Sequence, residues 1–146
     1  MNYLDIELNF EQLLNSICTL MRPFINIHTH TTRSNDNLIQ ITNFDLNRLC
    51  PINGFYSYGI HPWQVDSVEF QVETSLRLLE ERLKSPQAIA LGEVGLDKLH
   101  KASFEKQIEL FECQIELSEA LQKPMILQDV RSHNEILALR KKHKAI

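Results

Sequence analysis

From Gly54 onward, short apolar runs alternate with stretches of helical period, and no other feature of this sequence restricts the fold as much. The run GFYSYGIHPW, residues 54–63, carries the β formers Phe55, Tyr56, Tyr58 and Ile60 and is closed by Pro62. Residues 67–84 then repeat Val68, Val72, Leu76, Leu79 and Leu83 at helical spacing. That spacing predicts a helix with Glu80 and Lys84 paired on its surface, stopped by Ser85-Pro86. AIALGEVGLD, residues 88–97, reads as a strand running into a glycine-punctuated loop. A helix over 103–121 follows from Phe104, Ile108, Phe111, Ile115 and Leu117, then a strand over 125–128 and a last helix over 132–142. Two earlier strands are predicted over 24–27, behind Pro23, and over 37–44. Residues 2–20 read as a short amphipathic helix, although Leu4 to Phe10 alternate like a strand. Short apolar strands alternating with helices are the pattern of a buried parallel sheet, so the expected class is α/β.

The 146 residues suffice for one domain with a real core. Apolar residues make up 43% and charged residues 23%, ordinary for a soluble chain. A net charge of −4 argues against bulk attraction to nucleic acid or anionic membrane. It leaves room for a nuclease, because a metal ion neutralises phosphate locally. No run approaches the roughly 18 apolar residues of a membrane span, so no membrane partner is expected. Residues 1–20 lack the Lys or Arg with which a secretory signal opens. Cys18, Cys50 and Cys113 are widely spaced and form no CxxC pair, so they read as reduced thiols of a cytoplasmic protein.

In parallel sheets, function gathers at the carboxyl ends of strands. There this chain keeps His28 and His30, then His61, then Glu93 and Asp97, then Gln128 and Asp129. His28 and His30, two residues apart in FINIHTH, project from one face of a strand. Imidazole with carboxylate suits Zn, Mn or similar ions, and carboxylate with water suits Mg. Glu93 is placed to reach the same ion or to bridge two. Two-metal sites activate a water and steady the leaving oxygen of a phosphoester. His61, between Gly and Pro, suits a phosphate contact or proton transfer, and Asp97 suits orienting a ligand from behind. Plain readings stand beside these: His61 as a turn residue, Glu93 as a solvated carboxylate, Asp97 as a cap. For His100, His133 and His143, in or near helices, the plain reading is preferred.

Taken in chain order, NIHTH, YGIHPW, ALGEVGLDKL and KPMILQDVRSHNEIL resemble the TatD family of metal-dependent hydrolases. The resemblance runs from about residue 21 to the end. It implies a (β/α)8 TIM barrel of amidohydrolase type, a divalent two-metal site (Mg, Mn or Zn) and deoxyribonuclease-type cleavage of phosphodiester bonds. It also implies that His28 and His30 are metal ligands and that Glu93 is the bridging ligand. Glu93 and His61 are then the expected catalytic residues. Asp97, Gln128 and Arg131 are expected near the substrate or behind the ligands, Arg131 as the match of an arginine close to the phosphate.

Two departures temper the expectation. Where the family carries a ligand histidine, this chain has Gln128, a poor replacement for imidazole on a borderline ion. A complete barrel takes about 250 residues. The expected fold is therefore a partial barrel, the first four or five βα units over residues 21–146, behind an extension over 1–20. Its open edges call for cover, by a second copy in a homodimer or by a missing C-terminal half. The expected function is hydrolysis of DNA phosphodiester bonds. The alternatives are an inactive remnant serving as a binding or structural module, and a hydrolase of a small phosphorylated or amide substrate.

Overall fold

The computed structural model describes residues 24–33, 37–49, 51 and 53–143; the mixed-period segment 2–20 lies outside them. Five strands form one sheet: β1 (Phe24–Thr29), β2 (Leu38–Phe44), β3 (Phe55–Tyr58), β4 (Ala88–Asp97) and β5 (Met125–Val130). They lie in chain order β1-β2-β3-β4-β5, and every neighbouring pair is parallel. The α-helices are α1 (Val72–Leu83), α2 (Phe104–Leu121) and α3 (His133–Lys142), with a short 3-10 turn at Pro62–Gln64. Helices follow β3, β4 and β5. Among the described residues none separates β1 from β2 or β2 from β3, so the first two units of the expected βα repeat lack their helix.

The core lies between the sheet and the helices. Leu79 and Leu83 of α1 and Phe111 and Ile115 of α2 are fully buried, with Leu91, Val94 and Leu96 of β4. Burying a side chain of this kind contributes about 1.5–3 kcal/mol. Phe44 of β2 stacks on Tyr56 of β3 at 4.6 Å between ring centroids, which continues the core toward the sheet's start. Ser103 caps α2 by accepting from the Lys106 amide, and Gln122, in the left-handed region at φ 52°, ends it.

Several boundaries differ from the sequence expectation. The helix expected over 67–84 begins only at Val72, because turns closed by Ser67 N–H to Gln64 O and Phe70 N–H to Ser67 O precede it. Val68, counted on its apolar face, is almost fully exposed. The run over 54–63 is extended only from Phe55 to Tyr58 before turning into the 3-10 segment. The glycine-punctuated end of 88–97 stays in the strand and pairs with β5 through Val94↔Leu127 to Asp97↔Val130. Gly95 permits that close approach: at φ 140°, an added Cβ would stand 2.1 Å from the Gln128 carbonyl oxygen.

A candidate metal centre at the strand ends

Two irregularities in the sheet aim the site. The β1–β2 register shifts between Asn26 and Thr29, which brackets His28. The β4–β5 register shifts between Leu91 and Val94, which brackets Glu93. Such bulges redirect a side chain at the end of a ladder. Here they bring strands that are not neighbours to one point. His28 Nε2 lies 3.5 Å and His30 Nε2 3.7 Å from the same oxygen, Glu93 Oε2. One ligand atom from each of the three side chains falls within a 4.8 Å span. Asn43 of β2 braces the arrangement from the side, donating from Nδ2 to the Gly92 carbonyl at 2.5 Å and to Ser57 Oγ at 3.3 Å.

The donor set fits a divalent ion. Two donors each about 2.1 Å from a tetrahedral ion stand roughly 3.4 Å apart, close to the 3.5 and 3.7 Å separations seen. Both exceed the usual hydrogen-bond range. His28 Nδ1 is buried and has no hydrogen-bond partner among the described residues, so the polar contact of this ring is the one its Nε2 makes toward Glu93. The ring also meets His30 edge to face at 4.9 Å.

His61 borders the same opening. A cavity of about 290 Å³ is lined by His30, Asn43, Asp45, His61, Gln64 and Glu93, among others. His61 begins the 3-10 turn. Its Nδ1 accepts from the Trp63 amide at 3.3 Å, and its own amide donates to Gln64 Oε1. With Nδ1 accepting, Nε2 carries hydrogen and donates to Gln128 Oε1 at 2.7 Å. Gln128 thus spends its carbonyl on His61. Asp129 turns away from the opening: it accepts from the Ser132 amide and hydroxyl and pairs with His133 Nδ1 at 3.0 Å, at the start of α3. Burial pushes its carboxyl up, but those hydrogen bonds outweigh it and hold it below the ordinary value. Arg131 is exposed on the turn into α3, with φ 54°.

Asp97 is buried and faces Trp63 rather than the triad. Its Oδ2 accepts from the Trp63 indole N–H at 2.8 Å, and Oδ1 accepts from the amides of Leu99 and His100. Burial pushes this carboxyl up; the three donors outweigh it and hold it below the ordinary value. Sequence reasoning singled out neither Trp63 nor the two glutamines of α2 that fix the strand ends. Gln114 Oε1 accepts from the Ile60 amide at 2.7 Å and Nε2 donates to the Ile60 carbonyl at 3.1 Å. Gln107 grips the amide and carbonyl of Asp97 in the same way. The only signal was their spacing, seven residues and two turns, on an otherwise apolar face.

The model of the TatD related DNase family matches residues 12–145. The human 3'-5' RNA nuclease TATDN2 is 31% identical over 88 residues, which is 59% of this chain and 11% of that protein. The 3'-5' ssDNA/RNA exonuclease TatD of Erwinia billingiae is 33% identical over 82 residues, 56% of this chain and 30% of that enzyme. Among solved structures, the TatD homolog YJJV from Escherichia coli matches with a TM-score of 0.67 at 22% identity, over 84% of this chain and 56% of that one. The chain therefore spans about half of the barrel it resembles, and less of the curated relatives.

Proposed function

We propose that this chain, which belongs to the TatD related DNase family, is the metal-binding part of a divalent-metal-dependent nuclease that hydrolyses phosphodiester bonds of single-stranded DNA or RNA. The observation that carries this is the convergence of His28, His30 and Glu93 within 4.8 Å. They sit at the strand ends where the family resemblance called for ligands. The names of the relatives, nucleases of RNA or of single-stranded DNA and RNA, support the substrate class. We take residues 21–146 as the N-terminal part of a barrel, residues 1–20 as an extension, and the cytoplasm as its place.

The three donors would hold one ion of the Mg, Mn or Zn class and leave its remaining positions to water or to a phosphate oxygen. A bound ion would polarise a phosphoryl oxygen as a Lewis acid. The protein's own part is positional. Glu93 brings negative charge between the two imidazoles, and His61 stands at the lip of the cavity with its Nε2–H bonded to Gln128 Oε1, so that it meets a phosphate oxygen only by exchanging that bond. Asp97, Gln128 and Arg131 act around that arrangement. Asp97 fixes the segment behind His61, Gln128 orients His61, and Arg131 is free to meet a phosphate along the strand.

Calorimetric titration with Mn or Zn, joined to cleavage of end-labelled single-stranded oligonucleotides, tests the reading. The expected result is binding that disappears in the His28→Ala/His30→Ala variant and cleavage that is lost with Glu93→Gln. Absence of both metal binding and cleavage would overturn it. A second reading, an inactive binding module, is favoured by one observation: Gln128 is engaged with His61 and offers no imidazole to an ion. Metal binding without cleavage selects it.

A further inference from the structure

We infer that Trp63, clamped beside His61, is a stacking platform for a nucleobase of a single-stranded substrate. The inference rests on the nuclease reading above and adds a base-binding subsite to it. Trp63 is the single tryptophan of the chain, and its residue surface is 52% exposed. An exposed indole of this size normally lies free to rotate. This one is held at three points. Its N–H is bonded to the buried Asp97 carboxylate at 2.8 Å. One ring neighbour is His100, stacked nearly parallel to the indole at 13° with centroids 4.9 Å apart. The other is His61, set edge to face at 4.7 Å.

Each restraint is itself restrained. Asp97 is gripped through its backbone by Gln107. His100 accepts at Nδ1 from the Ala102 amide at 3.1 Å, which fixes its ring plane. His61 is tied to Gln128. A Trp with its polar handle turned inward, His100 stacked on its ring and half of its surface still open to solvent is arranged as interface aromatics are. Because the ring is already ordered, a ligand that stacks on it incurs little further loss of side-chain freedom.

The position selects the occupant. His61, two residues before Trp63, lines the cavity that also holds His30 and Glu93. A strand whose phosphate lies at the triad would carry an adjacent base outward past His61 to this surface. Stacking is sequence-tolerant, since every base has a π face, and is worth roughly 1–3 kcal/mol per base. With a net charge of −4 the chain has no general attraction for a polyanion. Base stacking is then the affinity available away from the metal.

The experiment uses the full chain in EDTA, so that no cleavage occurs. A labelled deoxyribo-octamer, a ribo-octamer and an abasic octamer of equal length are followed by anisotropy, while the lone tryptophan reports stacking through its emission. The expected result is quenching of Trp63 emission by the base-bearing octamers, with the abasic octamer binding about tenfold more weakly and leaving emission unchanged. A preference between the ribo and deoxyribo arms names the natural source of the base. Trp63→Phe, which keeps a ring in place, should weaken the base-bearing octamers less than Trp63→Ala does; His100→Ala, which frees the indole, should weaken them too. Binding of all three octamers alike, with emission unchanged, would overturn the platform and leave the nuclease reading standing. No binding of any octamer, alongside failed cleavage in the metal-loaded assay above, would overturn both.

Discussion

At Asp97 two carboxylate oxygens do different jobs. Oδ2 takes the Trp63 indole N–H, and Oδ1 takes the amides of Leu99 and His100. Asp97→Asn keeps one acceptor and sets an amide N–H against one of these donors. We expect a loss of about 1–3 kcal/mol in urea denaturation, with a red shift of Trp63 emission. The pH dependence has a fixed sign. The folded carboxyl titrates below its ordinary value of 3.8. Its stabilisation is therefore complete above 3.8 and is lost as pH falls through the lower folded value. The gap between wild type and Asp97→Asn should hold from neutral pH down to about that point and narrow below it. Gln128 offers the complementary test. Gln128→His replaces an acceptor now used by His61 with an imidazole at the mouth of the site. If the position belongs to the metal site, Mn or Zn should bind about tenfold more tightly by calorimetry. Unchanged affinity would assign residue 128 to holding His61 alone.

At the level of elements, the strand ends are held by α2. Gln114 satisfies both backbone groups of Ile60, the residue before His61, and Gln107 does the same for Asp97. Gln114→Met keeps most of the volume and leaves the Ile60 amide and carbonyl buried without partners. Each orphaned group costs about 1–3 kcal/mol. We expect that loss in thermal or urea unfolding, and a faster exchange of the Ile60 amide hydrogen than of β4 amides. This contrast shows what a sequence exposes. The strand-end placement of His28, His30 and Glu93 was legible in local pattern, and the pairing of the two histidines on one face in strand alternation; their reading as metal ligands came from the family resemblance. The polar clamps were not legible. A glutamine on a helix reads as surface until the backbone it serves is known, and Ile60 lies 54 positions from Gln114. The late start of α1 has a similar cause, since Val68 continues the helical period while turns closed by backbone hydrogen bonds at Ser67 and Phe70 take the chain elsewhere.

For the whole molecule, the decisive fact is that among the described residues the sheet does not close on itself. β1 and β5 are its two edges. Phe24, Ile25 and Ile27 on β1 are 77%, 68% and 66% exposed, although neighbouring residues of a strand point to opposite faces. Among the described residues nothing covers either face of this edge strand, where the matching strand of a closed barrel would be buried on both. Exposed apolar edges recruit further strands. The parallel order and the half-length match to a solved barrel say what kind of cover fits: more strands of the same sheet. We expect the chain to self-associate, with a weight-average mass by light scattering that rises with concentration toward at least that of a dimer. Ile25→Lys/Ile27→Lys should shift it to monomer while the far-ultraviolet circular dichroism stays unchanged, because neither side chain contributes to the buried core. The same variant also probes the site. If cover over β1 helps to hold His28 and His30 against Glu93, metal affinity should fall with the loss of association. A wild-type chain that stays monomeric at high concentration would remove the need for a second copy and leave the β1 edge covered from within its own chain.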